Sequence, residues 1–220
     1  MNRTHIDPET LRQIEELSHD PRPLLVLDVD DVLLHFVRPF PRFLRAAGYE
    51  LRLESFRLDG NISEIGTGRV LERSEVAALV GSFFDVQADW QTLTDGAAET
   101  LADLAPRAEI VMLTAMPHRH RALRRAHLDA LGLAYPLLTT EMAKGPAIAR
   151  LRGSAARPVA FVDDMPHNLV SAHEYVPDAH LFHLMAEASL RALLPPAGQN
   201  VTVVDDWREA RPLIARALGI

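Results

Sequence analysis

Leu24-Leu-Val-Leu-Asp28-Val-Asp30-Asp31-Val-Leu-Leu34 is the stretch on which the reading of this 220-residue chain turns. Four apolar residues run straight into three carboxylates within four positions, and apolar residues resume at once. A continuous apolar run of this length, without alternation, predicts a strand buried on both faces, as in a parallel sheet. Ionised carboxylates in such surroundings are costly unless they are paired or bound to a metal. Asp28 and Asp30, two apart, fall on one side of an extended segment and repel each other there. An oxygen-seeking divalent cation relieves both difficulties. An Asp-rich turn or a helix N-cap after the strand gives the same local pattern, so this segment alone leaves both readings open.

A second segment repeats the design. Val159-Ala-Phe-Val-Asp163-Asp164-Met-Pro166-His-Asn168 is again an apolar strand ending in an acidic pair, with Pro166 placed to open a helix. Parallel strands deliver their C-terminal ends to one edge of the sheet, where ligands bind, so the two acidic ends are expected to converge. Ile110-Val-Met-Leu-Thr114-Ala115 ends a third run in a hydroxyl. Lys144-Gly-Pro146 lies just ahead of a predicted helix, where the ammonium and the helix dipole both favour an anion. Lys144 is also the one lysine among 23 basic residues, either by chance in an Arg-biased composition or because a compact point charge is needed there. Two acidic strand ends, a hydroxyl and a lysine suit a phosphoryl group bridged to Mg²⁺, with a carboxylate as covalent nucleophile. Val201-Thr-Val-Val-Asp205-Asp206-Trp also ends in an acidic pair, but Glu209 three residues on makes it a capping arrangement.

Working outward, the predicted elements alternate between strand and helix. Strands are expected at 24–27, 110–113 and 159–162, and weaker ones at 179–184 and 201–204. Helices are expected at 8–19, 97–105, 118–131 and 146–152. This order predicts an α/β fold, a Rossmann-like three-layer sandwich around a parallel sheet. The interval from Phe36 to Gln91 is far longer than a crossover needs. It contains a predicted helix at 41–47, an alternating stretch from Tyr49, a turn at Gly66-Thr-Gly68 and a helix near 74–84. The expected division is therefore a core of residues 1–36 and 93–220 with a small, mainly helical cap at 37–92.

Composition narrows the classes. With 48% apolar residues the chain can build a core, and with no cysteine it has no disulfide or thiolate chemistry. A net charge of −7 argues against a nucleic-acid polymer as partner. No run approaches the roughly 20 apolar residues of a membrane span, and the opening residues show no apolar signal segment. The expectation is a cytoplasmic protein without a membrane partner; its oligomeric state is not legible.

These residues, in this order, resemble the haloacid dehalogenase superfamily of phosphohydrolases, across about 28–168. The resemblance implies that Asp28 is the nucleophile and Asp30 the general acid/base, with the Asp30 main-chain carbonyl also on Mg²⁺. It implies that Thr114 and Lys144 bind the transferred phosphoryl group, and that Asp163 and Asp164 are the remaining acidic residues of the metal site, Asp164 the more direct ligand. Thr94-Asp95-Gly96 is similar to the family's return from cap to core, and a cap between the first two motifs resembles the C1-capped branch. Two departures stand out: Asp31 where the family often has glycine, and Asn168 where many members carry an acid. Asp31, Ala115 and Asn168 are thus expected around the reacting groups.

The implied activity is a Mg²⁺-dependent phosphatase acting on a small phosphorylated metabolite through an aspartyl-phosphate. A short resemblance to the deoxyribonucleotidase branch leaves a nucleotidase-like substrate open. A phosphomutase would use the same residues, and a binding or scaffold protein could retain them. A dehalogenase is disfavoured by Asp30, and a phosphoacceptor signalling domain by the cap and by the order of the acidic groups. Arg38, Arg42, Arg45, Arg69 and Arg73 could hold an anionic leaving group or merely solvate the surface. His118, Arg119 and His120 are placed to reach the site edge or to start an exposed helix. Phe36 and Trp90 could line the hinge or pack as aromatic core.

Overall fold

The computed structural model describes residues 6–18, 20–53, 55, 57–154, 156–198 and 200–220. Its centre is a six-stranded sheet in the order β5-β4-β1-β6-β7-β8, every pairing parallel. The strands are β1 (Leu24–Leu27), β4 (Glu109–Thr114), β5 (Leu137–Thr139), β6 (Val159–Asp163), β7 (His180–Leu184) and β8 (Val201–Val204). All four residues of β1 are fully buried, because the strand is covered on both faces. Leu25 and Leu27 join a cluster with Leu101 of α5 (Ala97–Leu104), Leu128 of α6 (Arg121–Ala130) and Ile214 of α9 (Trp207–Leu218). Leu24 and Val26 join the opposite cluster, with Ile14 of α1 (Pro8–Glu15), Ile148 of α7 (Lys144–Arg152) and Leu169 of α8 (Pro166–Tyr175). The three layers follow directly from the pleat of an unbroken apolar strand.

Several boundaries differ from the sequence reading. The first helix stops at Glu15 rather than 19; residue 19 lies outside the described residues, as do residues 1–5 of the expected core. The predicted helix at 118–131 is a 3₁₀ turn over His118–His120 followed by α6. Lys144 is the first residue of α7 rather than a residue ahead of it. Strand β5 escaped prediction because Leu137-Leu-Thr139 is too short to show a period.

The segment after β1 builds elements that stand outside the six-stranded sheet. It comprises α2 (Phe40–Ala46), an antiparallel pair β2 (Tyr49–Leu51) and β3 (Ile62–Glu64), α3 (Arg73–Asp85) and the short α4 (Gln87–Trp90). Its own apolar cluster contains Phe40, Leu44, Ile62, Val76, Phe83 and Phe84. Phe36 sits at the junction, stacked on Phe40 at 5.1 Å and edge-on to Phe83 at 5.3 Å. Trp90 packs edge-on to Phe43 at 5.7 Å, so both aromatics belong to this core. Among the described residues, no helix is long and apolar enough to cross a membrane.

Candidate active site

The register of the sheet places the acidic ends side by side. β1 runs beside β6 with Leu27 opposite Val162, and the Asp28 amide donates to the Val162 carbonyl at 2.9 Å. Asp28 and Asp163 are therefore neighbours at one edge, and Thr114 ends β4 on the other side of β1. Oxygens of Asp28, Asp163 and Asp164 lie within 4.8 Å of one another, and all three residues are buried. Beyond Leu27 the chain leaves the sheet, so Asp28 and Asp30 are oriented by the following loop and not by the strand pleat.

Lys144 is the cation that compensates this cluster. Its Nζ lies 2.8 Å from Asp28 Oδ1 and 2.7 Å from Asp163 Oδ2, with no exposed surface. Burial by itself would depress the ammonium, but Asp163 and Asp28 outweigh it and hold Lys144 above the ordinary lysine range. Gly145 makes this placement possible. A Cβ there would lie 2.2 Å from the Ser171 carbonyl oxygen, and the Gly145 amide donates to Ser171 Oγ at 3.1 Å. The start of α7 can thus press against α8.

The four acidic groups have distinct surroundings. Burial pushes the Asp28 carboxyl up to about 7; Asp163 and Asp30 add to the rise and Lys144 opposes it. Asp164 is driven well above its usual value by burial, with Asp163, Asp28 and Asp31 adding repulsion. Asp163 is fully enclosed: it accepts from Lys144, from the Met165 amide at 2.8 Å and from Asn168 Nδ2 at 3.0 Å. Asn168 therefore serves Asp163 as a hydrogen-bond donor, a task an ionised acid could not perform. Asp30 faces elsewhere. Its carboxylate accepts from Arg124 Nη2 at 2.9 and 3.1 Å and from Gln91 Nε2 at 2.8 Å.

Asp31 has φ of +53°, alone among the described non-glycine residues in the left-handed region. Its carboxylate accepts from the amides of Phe36 at 2.9 Å and Val37 at 3.1 Å, and burial pushes it up to about 7 despite those bonds. That φ lies in the region glycine enters most readily. Aspartate fits because a short polar side chain can bond locally there.

Above the acids lies a cavity of about 350 Å³. Asp28, Asp30, Asp31, Asp164, Thr114, Ala115 and Asn168 line it, together with residues of the insert. Lys144 and Asp163 lie beneath this lining. Other sequence candidates lie away from it. His118 is held between Thr139 Oγ1 at 2.7 Å and Asp7 at 2.9 Å, and His120 contacts Asp85 at 3.1 Å. Arg69 pairs with Glu75 at 2.8 Å and Arg73 with Asp59 at 2.9 Å, while Arg42 sits over the Trp90 ring. None of Arg38, Arg42, Arg45, Arg69, Arg73 or Arg119 lines this cavity. Asp206 caps α9 by accepting from the Glu209 amide at 2.9 Å, and Asp205 pairs with Arg191.

Arg124 and Gln91 were not singled out in the sequence. The signal for Arg124 was its helical spacing: with His127 and Leu128 it forms the buried face of α6. A guanidinium on a core-facing stripe requires an acidic partner. Gln91 offered no comparable signal.

The sequence matches no family model and no curated protein. Solved structures share the fold over nearly the whole chain. A predicted phosphoglycolate phosphatase from Haemophilus somnus 129pt superposes with a TM-score of 0.59 at 16% identity, covering 90% of this chain and 100% of that one. A HAD family hydrolase from Deinococcus radiodurans R1, with bound phosphate and sodium, gives a TM-score of 0.58 at 16% identity over 90% and 96%. A haloacid dehalogenase-like family hydrolase from Streptococcus pneumoniae gives 0.58 at 12% identity over 88% and 99%. The chain thus has the α/β fold of the haloacid dehalogenase-like hydrolases.

Proposed function

We propose that this chain is a phosphohydrolase that cleaves a small phosphate monoester through an aspartyl-phosphate on Asp28. The observation that carries the reading is the meeting of Asp28, Asp163 and Asp164 at adjacent strand ends with the single lysine, at the start of α7, on the floor of a cavity edged by Thr114. Hydrolases and phosphatases among the structures of like fold support it.

Three clustered carboxylates against one ammonium suit a hard divalent cation. Asp28 and Asp164, with the Asp30 carbonyl, would hold Mg²⁺. Asp163, already engaged by Lys144, Asn168 and Met165, would stand behind them. The cation supplies charge neutralisation for the phosphoryl oxygens.

The remaining work belongs to the chain. An Asp28 carboxylate oxygen attacks phosphorus, and the bond to the leaving alcohol breaks. Asp30 gives that alcohol its proton, then takes one from the water that attacks phosphorus in the second half-reaction, releasing phosphate and regenerating Asp28. Thr114 donates its hydroxyl hydrogen to a phosphoryl oxygen, and Lys144 fixes Asp28 by charge. Arg124 and Gln91 act as positioning residues for Asp30. Residues 37–92 act as the cap, since their cluster roofs the cavity whose floor the core provides.

The test is hydrolysis of p-nitrophenyl phosphate. Activity is expected with Mg²⁺, with at least about a 10³-fold loss on chelation and in Asp28→Asn. Full activity of Asp28→Asn would overturn the assignment.

A further inference from the structure

The roof of the site differs in chemistry from its floor. Phe36, Leu53, Leu58, Val80 and Phe84 close the cavity from the insert side. Among the described lining residues no arginine or lysine is present; the nearest approach to a cation is His167, an exposed residue at the start of α8. Three of the insert's arginines are paired elsewhere, Arg52 with Glu50, Arg69 with Glu75 and Arg73 with Asp59, and Arg57 lines a separate groove on the far side of Leu58, Val80 and Phe84. Arg124 lies behind Phe84, its guanidinium 5.4 Å from that ring, and is bound to Asp30.

We propose that the leaving group of the natural substrate is uncharged and apolar, an aromatic ring or a short hydrocarbon, in an alkyl or aryl phosphate monoester. This rests on the phosphohydrolase reading and narrows its substrate class. A carboxylate or second phosphate on the leaving group would lie beside the buried Asp31 carboxyl and against the apolar roof, with no arginine or lysine in the described lining to compensate it, an unfavourable arrangement in a partly desolvated site. A polyhydroxylated sugar would place hydroxyls against Leu53, Leu58 and Val80, which offer neither donor nor acceptor. A ring can instead pack against Phe36 and Phe84, edge or face. The volume of about 350 Å³ is at the small end for ligand sites, which suits a phosphoryl group with one ring.

Three primary alkyl phosphates test this with similar leaving oxygens: benzyl phosphate, 2-phosphoglycolate and glucose 6-phosphate, each with Mg²⁺. The expected result is kcat/KM for benzyl phosphate about 100-fold or more above the other two, in line with about 10- to 200-fold per well-fitted apolar increment. Val80→Arg and, on a different element, Leu58→Arg are expected to lower that ratio at least about tenfold by raising phosphoglycolate and lowering benzyl phosphate. Calorimetry with the unreactive benzylphosphonate and phosphonoacetate should show the same order. Hydrolysis of all three at comparable rates, or a preference for either polar ester, overturns the proposal and leaves the phosphohydrolase reading intact. Failure to hydrolyse any ester, p-nitrophenyl phosphate included, overturns both.

Discussion

Arg124 shows how much one side chain can decide in a crowded site. It is completely buried and holds Asp30 with two hydrogen bonds from a single nitrogen. If Asp30 is the proton donor, Arg124 fixes where that proton is delivered. Arg124→Met is expected to lower kcat about 10- to 100-fold with a smaller change in KM, and Arg124→Lys to recover part of the loss. Steady-state kinetics over pH 5–9 measures both; an unchanged kcat would reduce Arg124 to packing. Asp31 supports a second experiment. Asp31→Asn keeps an acceptor for the Phe36 and Val37 amides and remains compatible with φ of +53°. Asp31→Ala loses the acceptor and strains the backbone, so it should be less stable than Asp31→Asn by about 1–3 kcal/mol in urea denaturation.

At the scale of the element, the site is assembled by two contacts: β1 against β6, and α7 against α8. The first is legible in part, because two unbroken apolar runs ending in acids predict parallel strands whose ends share an edge, while their direct adjacency is seen only in the sheet order. The second is not, because Gly145 matters only through the Ser171 carbonyl that α8 brings to it. Gly145→Ala forces α7 away from α8. It is expected to destabilise by about 3 kcal/mol, the upper end for overpacking, or about 6–12 °C in melting temperature. The displaced Lys144 should cost activity as well. A wild-type melting temperature in this variant would mean that α7 is not held where Lys144 needs it.

For the whole molecule, the concentration of buried carboxyls makes stability depend on pH in an unusual direction. Asp28 and Asp31 are pushed up to about 7, whereas an unfolded chain releases such protons near about 4. The native state therefore binds more protons across that interval, and stability falls as pH rises through about 7. His35, His120, His127 and His183 are shifted down by burial and act oppositely, but only below about 6.5, where the unfolded state still charges them. From pH 6.5 to 8, metal-free protein is expected to lose about 1 kcal/mol for each raised carboxyl, about 2–4 °C each. Asp31→Asn should flatten that slope. Mg²⁺, favouring the ionised cluster, should restore the melting temperature most at the alkaline end. Thermal denaturation with EDTA and with Mg²⁺ measures this; a profile indifferent to both would argue against a cation site.

What the sequence determined by itself is local or periodic. Unbroken apolar runs specify doubly covered strands, their acidic ends specify that carboxylates gather at one edge of the sheet, and the interval after β1 is longer than a crossover needs. The tertiary structure alone decided which partner each charged group took. Lys144 lies beneath Asp28 and Asp163, Asn168 donates to Asp163, and Asp30 turns to Arg124 and Gln91, 94 and 61 residues away in sequence. The physical reason is that burial is encoded by nearest neighbours along the chain. The pairing of buried charges depends instead on distances between elements that no single segment contains.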